Sequence, residues 1–468
     1  MIRPVAFVAI LVTGFGVFAK AGEIPPSDVL TACDRAAAYP FDNTRPAGIP
    51  GVSQEKIVPE NAINACELAV KAAPNNARIA MQLGRAYEAA KDFDRARIYY
   101  FQAYQNGSAQ AAANLALFYV TGKGGLPQND ADAMRLFKLA SDQGNAHGQN
   151  GLGTFFEAGR GGLSKDEFEA TRLYKLASEQ GYPGAQNNLG RFYQAGRGGL
   201  PKDDREAVRL YKLSADQGNA LGQANLGTFY QNGRGGLPRD EREAVRLYKL
   251  SADQGNALGQ ANLGFAYAHE FGGLPKDDRE AVRLYKLSAD QGNALGQTNL
   301  GFAYVRGFGG LPKDEREAVR LFRLSADQGN PVGQANLGFA YVGGVGGLPK
   351  DEREAMRLYK LSADQGYPAA RNALARLNGI QPVSEQPTSE NTNGGPRSGG
   401  GYRPGKYRPP LSPEQIAHPN GHHEQFLSAL TAYDDDLVRV AFVRFNGNNA
   451  RMIDWLQVEQ KQRDAMRR

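Results

Sequence analysis

His418, His422 and His423 lie close together in the sequence and are the residues best suited to bind a metal ion. A zinc site usually takes four ligands from cysteine, histidine and carboxylate side chains, and no cysteine or carboxylate completes such a set here at helical spacing. The Pro-Asn-Gly sequence between the histidines is typical of a turn. We therefore interpret this segment as an exposed turn and predict no metal site.

A glycine-rich turn, exemplified by Gly159-Arg160-Gly161-Gly162, is similar in composition to a phosphate-binding loop. A true phosphate loop follows a strand and ends in Lys-Ser or Lys-Thr, which hold the phosphate and its metal ion. Here the turn follows a helical pattern and lacks those residues, so we interpret it as structural. No Ser, His and acid arrangement recurs in the chain either. The sequence predicts a protein that is not an enzyme and binds no cofactor.

Residues 1–21 have the pattern of a secretory signal peptide, with Arg3 near the start, an apolar stretch over residues 5–19 and the sequence Ala-Lys-Ala before Gly22. The apolar stretch has about 15 residues, fewer than the roughly 20 that a membrane-spanning helix needs. We expect the segment to be removed, a mature chain that does not span a membrane, and a periplasmic or secreted location. A retained membrane anchor is the alternative.

Cys33 and Cys66 are the only two cysteines of the chain. Because disulfides form and persist in oxidising compartments, we expect these two residues to pair. The alternative is that both are unpaired and buried as small hydrophobic side chains.

The composition excludes several classes of protein. With 41% hydrophobic and 22% charged residues, the 468-residue chain is neither disordered nor a membrane bundle. A net charge of +6 without a long basic run does not predict nucleic-acid binding. Glycine accounts for 57 of the 468 residues, which is more than its usual share of roughly 7%. Glycine must therefore recur in a repeated element.

A leucine followed by Gly or Ala recurs every 37 residues, and this period defines the architecture. Seven units of 37 residues, numbered repeats 1 to 7 below, extend from Ala109 to Tyr367. A fixed period of this length is typical of solenoids and propellers. The leucines that mark the period are Leu115, Leu152, Leu189, Leu226, Leu263, Leu300, Leu337 and Leu374.

The second half of repeat 5, which covers residues 257–293, has the pattern of a helix with both ends marked. Apolar residues three and four apart over residues 281–285 are typical of a helical stripe. Asp277, with Glu280 three residues later, predicts a capping-box-like start, and Gly292 predicts the end.

The first half of repeat 5 predicts a second helix, with Asn256 as its N-cap and an end before the turn at residues 272–275. Gly259 and Gly264 inside this helix each cost about 1 kcal/mol relative to alanine. Their recurrence indicates that neighbouring helices pack too closely there for side chains. The chain is thus predicted to be all-α, an α/α superhelical solenoid of helix-turn-helix repeats.

The units resemble the Sel-one-like repeats, which are relatives of the tetratricopeptide repeat. In repeat 6 the resemblance rests on Leu300-Gly301-Phe302-Ala303-Tyr304, on Asp314 and Ala318, and on the closing Ala326-Asp327-Gln328-Gly329. The chain departs from the family in Leu284 to Ala289, where the family usually has Trp-Tyr-x-Lys-Ala-Ala, and in its longer Gly-Gly-Leu-Pro turn. The resemblance implies that the protein is an interaction scaffold. Several scaffolds of such families are in bacterial envelopes.

The patterns divide the chain into five regions. Residues 74–107 are similar to a tetratricopeptide unit, and a Pro- and Gly-rich stretch follows the last helical pattern. We predict a signal peptide at 1–21, an N-terminal helical cap with the tetratricopeptide-like unit at 22–108, seven repeats plus a terminal half repeat at 109–377, a flexible linker at 378–413 and a small helical module at 414–468.

We predict a protein–protein interaction scaffold whose partner, another protein, binds along the solenoid groove or the loop edge. An alternative is a binder of anionic envelope or extracellular polysaccharide, which would use basic loop residues and Arg397, Arg403, Lys406 and Arg408 of the tail. Salt dependence separates the two, because polymer binding through charges weakens steeply above physiological ionic strength.

Divergence between the repeats concentrates at one position just before the Gly-Gly-Leu turn. Equivalent positions stack along a solenoid, so this position forms a loop ladder that is basic over four repeats and apolar over the last three. We predict that the ladder is exposed and docks a partner with an acidic segment followed by an apolar one. The alternative is drift in exposed loops, which tolerate change readily. Its residues are Lys123, Arg160, Arg197, Arg234, Phe271, Phe308 and Val345.

The mature protein is expected to begin near Gly22 and to carry the Cys33–Cys66 disulfide. Intact-mass measurement of protein recovered from its native compartment, with and without reductant, tests both points. Removal of residues 1–21 and a gain of two hydrogens on reduction are the expected results. Two free thiols before reduction would contradict the disulfide.

Overall fold

Short polar side chains begin the helices of repeat 5. The Asn256 side chain accepts a hydrogen bond at 3.0 Å from the backbone N–H three residues along, and Asp277 accepts one at 2.9 Å from Glu280. Gly292, with a φ of +79°, ends the second helix in the left-handed conformation. These predicted helix ends are confirmed. The Glu280 carboxylate accepts hydrogen bonds from Arg283. In a complete capping box it would instead accept one from the backbone N–H of Asp277.

The computed structural model describes residues 26–42 and 44–378. In these residues the chain forms nineteen α-helices, three short 3-10 helices and no strand, which confirms the predicted all-α class. The α-helices are α1 (Pro26–Ala37), α2 (Pro59–Ala72), α3 (Ala77–Ala89), α4 (Phe93–Gln105), α5 (Ala109–Thr121), α6 (Asp130–Asp142), α7 (Ala146–Ala158), α8 (Glu167–Glu179), α9 (Pro183–Ala195), α10 (Asp204–Asp216), α11 (Ala220–Asn232), α12 (Glu241–Asp253), α13 (Ala257–Ala268), α14 (Asp278–Asp290), α15 (Ala294–Arg306), α16 (Glu315–Asp327), α17 (Pro331–Gly343), α18 (Glu352–Asp364) and α19 (Pro368–Leu377).

First and second helices alternate along the repeats. Repeat 1 consists of α5 and α6, repeat 7 of α17 and α18, and α19 follows as a first helix with no described second helix after it. Within each of the two units described below, consecutive helices pack against each other, and first helices also contact the first helices of neighbouring repeats, as α13 does with α11 and α15. None of the described helices is long and apolar enough to cross a membrane.

Glycines in the first helices allow the close approach of their neighbours. A Cβ atom on Gly264 would lie 2.9 Å from the ring of Tyr285 in the second helix of the same repeat. A Cβ atom on Gly259 would lie 2.3 Å from the hydroxyl oxygen of Ser251 in the preceding repeat. Because real Cβ contacts are longer than these distances, the predicted reason for the recurring glycines is confirmed.

The described residues fall into two units, one ending at Asp203 and the other beginning at Asp204. In the second unit the core consists of alanine, leucine, valine and aromatic side chains that recur at equivalent positions of repeats 5 to 7. In the first unit the core extends from the N-terminal helices into repeat 1. Within each unit, a helix is thus stabilised mainly by the helices next to it in the chain.

A disulfide joins Cys33 of α1 to Cys66 of α2, with the two Cα atoms 4.6 Å apart. Most of the chain between these helices forms a long connection, residues 38–53, which we call the strap. Arg85 of α3 is almost fully buried beneath it. The Arg85 guanidinium donates a 2.6 Å hydrogen bond to the backbone carbonyl of Ala37, the last residue of α1, and a 2.7 Å bond to that of Val52 near the end of the strap.

Several predicted features lie outside the described residues. They are the signal peptide at 1–21, all but the first residue of the linker at 378–413, the C-terminal module at 414–468, and the three histidines His418, His422 and His423.

Candidate functional site

The three arginines of the loop ladder form ion pairs within the protein. The Nη2 and Nε atoms of Arg160 lie 2.6 and 2.8 Å from the two carboxylate oxygens of Asp130. Arg234 pairs with Asp204 in the same way, with its Nη2 atom 2.9 Å from the carboxylate. Each carboxylate is in the first turn of the preceding repeat's second helix. The hydrogen bonds from Arg160 lower the pKa of Asp130.

Arg197 forms the equivalent pair with Glu167, at 2.8 Å. Hydrogen bonds from Arg197 and Lys165 lower the pKa of Glu167 to about 2. The side chain of Lys123 is exposed, with its ammonium group 4.6 Å from the centroid of the Phe93 ring. The three arginines also lie over a ring of their own first helix, 4.7 to 4.9 Å from the centroids of Phe155, Phe192 and Phe229.

The apolar half of the ladder is turned into the protein. Phe308 is only 8% exposed, so its predicted exposure is wrong, and Phe271 and Val345 are half-buried. The reason lies five residues earlier, where Ala303 replaces the phenylalanine of repeats 2 to 4 and leaves space that the Phe308 ring fills. Phe271 and Val345 belong to the same hydrophobic clusters as Ala266 and Ala340.

The ladder residue and the first-helix residue five positions before it change together. Repeats 2 to 4 combine a phenylalanine in the helix with an arginine in the loop, whereas repeats 5 to 7 combine an alanine with phenylalanine or valine. Either combination fills the space between one repeat and the next. The ladder therefore has a structural role that explains its variation, and its partner-binding role stays a prediction.

A second difference in repeats 5 to 7 places aromatic rings on the surface. The residue just before the alanine is Phe265, Phe302 or Phe339, where repeats 2 to 4 have Thr154, Arg191 and Thr228. Phe302 and Phe339 are each 39% exposed, and Phe265 is half-buried. The sequence analysis did not identify these residues. Comparison of the Phe-Ala-Tyr sequence in these repeats with Thr-Phe-Tyr or Arg-Phe-Tyr in earlier ones would have found them.

These rings lie on a continuous stripe of the first helices. When positions are numbered from the first residue of each first helix, the rings occupy position 9, and positions 2 and 6 fall on the same side of the helix. No Asp, Glu or Lys is present in α13, α15 or α17, and Arg306 is their single charged residue. We call positions 2, 6 and 9 of these helices the aromatic face: Leu258, Asn262, Phe265, Leu295, Asn299, Phe302, Val332, Asn336 and Phe339.

The second helices have an exposed stripe of their own. Leu287 and Leu324 are 38% and 39% exposed, so they match Phe302 and Phe339 in exposure and lie in neighbouring repeats. The same stripe includes Leu213, Leu250 and Leu361. It runs beside intrahelical ion pairs such as Arg283–Glu280, at 2.7 Å, and is nearly identical in every repeat.

No group of three or more His, Cys, Asp or Glu side chains in residues 26–42 and 44–378 is arranged to hold a metal ion. The histidine of repeat 2, His147, has its Nδ1 atom 3.0 Å from the side-chain nitrogen of Gln110 and its ring against Tyr182. Burial lowers the pKa of His147 to about 4, so this side chain is neutral at pH 7. Its contacts are those of a packed structural residue.

Comparison with known families identifies the repeats. The Sel1 repeat model matches eight consecutive segments: 77–108, 109–145, 146–182, 183–219, 220–256, 257–293, 294–330 and 331–367. The chain belongs to the Sel1 repeat family. The first match makes the upstream unit, which the sequence likened to a tetratricopeptide repeat, a Sel1 repeat as well. Sel1 repeat proteins generally mediate protein–protein interactions and are typically not enzymes.

Solved structures of other Sel1 repeat proteins are similar to this chain. A protective antigen, c5321, present in uropathogenic Escherichia coli strains is 30% identical, with 68% of this chain and 67% of that chain covered and a TM-score of 0.36. A Sel1 repeat protein from Oxalobacter formigenes is 27% identical over 54% of this chain and 96% of that chain, with a TM-score of 0.40. No curated protein matches the chain.

The coupled exchange in repeats 5 to 7 predicts a compensation experiment. Phe308→Ala should lower stability by about 3 kcal/mol, because it empties the space beside Ala303. Ala303→Phe alone should also destabilise, because it overfills that space. The double variant Ala303→Phe/Phe308→Arg should regain most of the loss, because the new arginine can reach Asp278, whose Oδ1 atom lacks a hydrogen-bond partner.

Urea unfolding followed by circular dichroism measures the free energy of unfolding of the wild type and of these variants. A double variant as unstable as the summed effects of its two component changes, Phe308→Arg and Ala303→Phe, would contradict the proposed exchange between helix and loop.

Proposed function

We propose that this chain is a non-enzymatic scaffold that binds a partner protein through the aromatic face of repeats 5 to 7. The observation that supports this proposal is the exposure of Phe302 and Phe339, each 39%, at the same position of consecutive first helices. Apolar rings in register on a soluble surface usually mark a place that something covers. Full burial of an exposed phenylalanine contributes about 1.5–3 kcal/mol, and because each ring is 39% exposed, a partner that covers it gains a corresponding fraction of that free energy.

The loop ladder is less well suited to the same role. Arg160 and Arg234 already hold carboxylates of this chain, and Phe308 is inside the core. An acidic partner or an anionic polysaccharide would have to displace an internal carboxylate from each arginine. This competition makes the aromatic face the better candidate and polysaccharide binding the weaker one.

The proposed compartment is the periplasm or the secreted space. Two observations support it: the signal-peptide pattern of residues 1–21 and the Cys33–Cys66 disulfide, which an oxidising environment would maintain. A partner would then be a protein of the cell envelope or of the secreted space.

Phe302→Ser/Phe339→Ser should weaken partner binding, while Leu287→Ser/Leu324→Ser should leave it unchanged. The two pairs are matched in exposure and in number of apolar side chains removed, so general loss of surface hydrophobicity affects both equally. Proteins captured from an envelope fraction by the wild-type chain would be identified by mass spectrometry and their affinities measured with all three proteins. We expect at least a tenfold weaker Kd for the phenylalanine pair, a difference of about 1.4 kcal/mol.

Circular dichroism controls for folding in both variants. Equal affinity of the wild-type chain and the phenylalanine variant would exclude the aromatic face. Loss of partner binding only in Leu287→Ser/Leu324→Ser would place the binding site on the second helices. Partner capture that falls steeply with added salt in the wild type and in both variants would favour the polysaccharide alternative.

A further inference from the structure

The end of the described solenoid leaves two apolar side chains less covered than their counterparts in earlier repeats. In repeats 3 to 6 the fifth residue of the second helix is a valine that is at most 8% exposed. Repeat 7 has Met356 at this position, and Met356 is half-buried. Position 7 of the first helices shows the same contrast. Its leucine is at most 6% exposed in all seven repeats, whereas Leu374 of α19 is half-buried.

In the earlier repeats a second helix contributes to this cover. Val319 and Leu337, the counterparts of these two residues, lie in one hydrophobic cluster with Leu358 of α18, the second helix of repeat 7. No second helix follows α19 among the described residues. The half-buried apolar residues at this end form a surface that we call the terminal face: Met356, Leu374 and Leu377.

An arginine lies where a second helix would pack against α19. In repeat 7 position 4 is Gln334, whose Oε1 atom accepts a 2.9 Å hydrogen bond from Gln365 just after the second helix. Position 4 of α19 is Arg371, which is exposed and donates one 3.2 Å hydrogen bond to the Gly366 carbonyl. A guanidinium has five N–H donors, and α19 contains no Asp or Glu. Arg371 therefore favours an occupant with a carboxylate beside its apolar residues.

The chain itself contains a segment that matches the terminal face in apolar pattern and in charge. Residues 424–441 lie outside the described residues, and their sequence predicts a helix with one apolar stripe. On a helix of 3.6 residues per turn, Asp434 and Asp436 would flank this stripe on its two sides. The stripe consists of Phe426, Leu430, Tyr433, Leu437, Val440 and Ala441.

The connection between α19 and this segment is long enough for docking. It has 45 residues, 379–423, and includes most of the predicted flexible linker. A flexible chain of this length has an r.m.s. end-to-end distance of about 34–40 Å, more than twice the roughly 15 Å length of α19. Such a tether holds the segment at an effective concentration on the order of a millimolar. At micromolar protein concentrations the tethered segment therefore outcompetes a second copy of the chain.

We propose that residues 424–441 dock as a helix on the terminal face of the same chain. The apolar stripe covers Met356 and Leu374, and Asp434 or Asp436 pairs with Arg371. The segment thus takes the place of the second helix that α19 lacks among the described residues. This inference does not depend on the proposed function, because the residues that carry it lie outside the aromatic face.

Hydrogen–deuterium exchange of the full chain, measured by mass spectrometry, tests this docking. We expect residues 424–441 to be protected in the wild type and to exchange at least tenfold faster in Leu374→Ser, a change about 50 residues away in the sequence. Leu430→Ser/Leu437→Ser removes the contact from the other side and should speed exchange in α19. Leu427→Ser/Val438→Ser removes two apolar side chains that lie off the stripe. This matched control should exchange like the wild type.

A charge reversal tests the same contact without removing an apolar side chain. Arg371→Glu should speed exchange of residues 424–441 at least threefold, because it places a carboxylate beside Asp434 and Asp436. Adding Asp434→Arg/Asp436→Arg to this variant should restore the wild-type rate. Because Arg371 is exposed, we expect the circular dichroism spectrum of the repeats to stay unchanged in both variants.

Three results would overturn the inference. The first is equal exchange of residues 424–441 in the wild type, Leu374→Ser and Arg371→Glu. The second is equal loss of protection in the matched control Leu427→Ser/Val438→Ser, because the stripe would then have no special role. The third is protection that appears only as protein concentration rises and is accompanied by a doubled mass in light scattering, because a second copy would then cover the terminal face.

Discussion

The contact between a glycine of the first helix and an aromatic ring of the second helix sets the geometry of each repeat. The glycine lets the ring lie directly on the helix backbone, as Tyr285 does on Gly264, where a Cβ atom would come within 2.9 Å. The same contact recurs between Gly227 and Tyr248 and between Gly338 and Tyr359. Because any larger residue would push the helices apart, the contact fixes the distance between them. A constant distance is what allows equivalent residues of successive repeats to stay in register.

Because of this register, a change at one position is compensated by a change at another. Where the first helix loses a ring at Ala303, the loop supplies one at Phe308, and the core stays filled. The Phe302 ring packs edge-on against the core ring of Phe322, with centroids 5.4 Å apart, and 39% of it stays exposed. Core packing accounts for the variation of the ladder, whereas it leaves part of each ring of the aromatic face exposed. The same reasoning separates the arginines, which have structural partners, from the rings.

Local patterns in the sequence predict the features of this protein that depend on one repeat. The 37-residue period, the helix ends at Asn256, Asp277 and Gly292 and the reason for the recurring glycines follow from spacing alone, and each is found in the structure. The cysteine count likewise predicts the disulfide that the structure contains. In these cases the interacting residues are close in sequence, or so few that only one pairing between them is available.

Contacts between repeats are harder to predict from the sequence. Arg160 meets an aspartate 30 residues earlier in the neighbouring repeat, and this pairing removes it from the exposed ladder that the sequence suggests. Phe308 changes from a surface residue to a core residue because of an alanine five positions before it. The strap contact between Phe41 and Tyr182 joins parts of the chain that share no pattern. Exposure in a repeat array depends on what the adjacent repeat supplies, and a single unit does not contain that information.

Site-specific photo-crosslinking in cells that produce the full chain tests the central claim, that repeats 5 to 7 present their first-helix rings to a partner. A photoreactive phenylalanine analogue would replace Phe302 or Phe339 and, as controls of matched exposure, Leu287 or Leu324. We predict that illumination links the same partner protein to positions 302 and 339 and not to positions 287 and 324. Crosslinks confined to the leucine positions, or no partner at any of the four, would contradict the account.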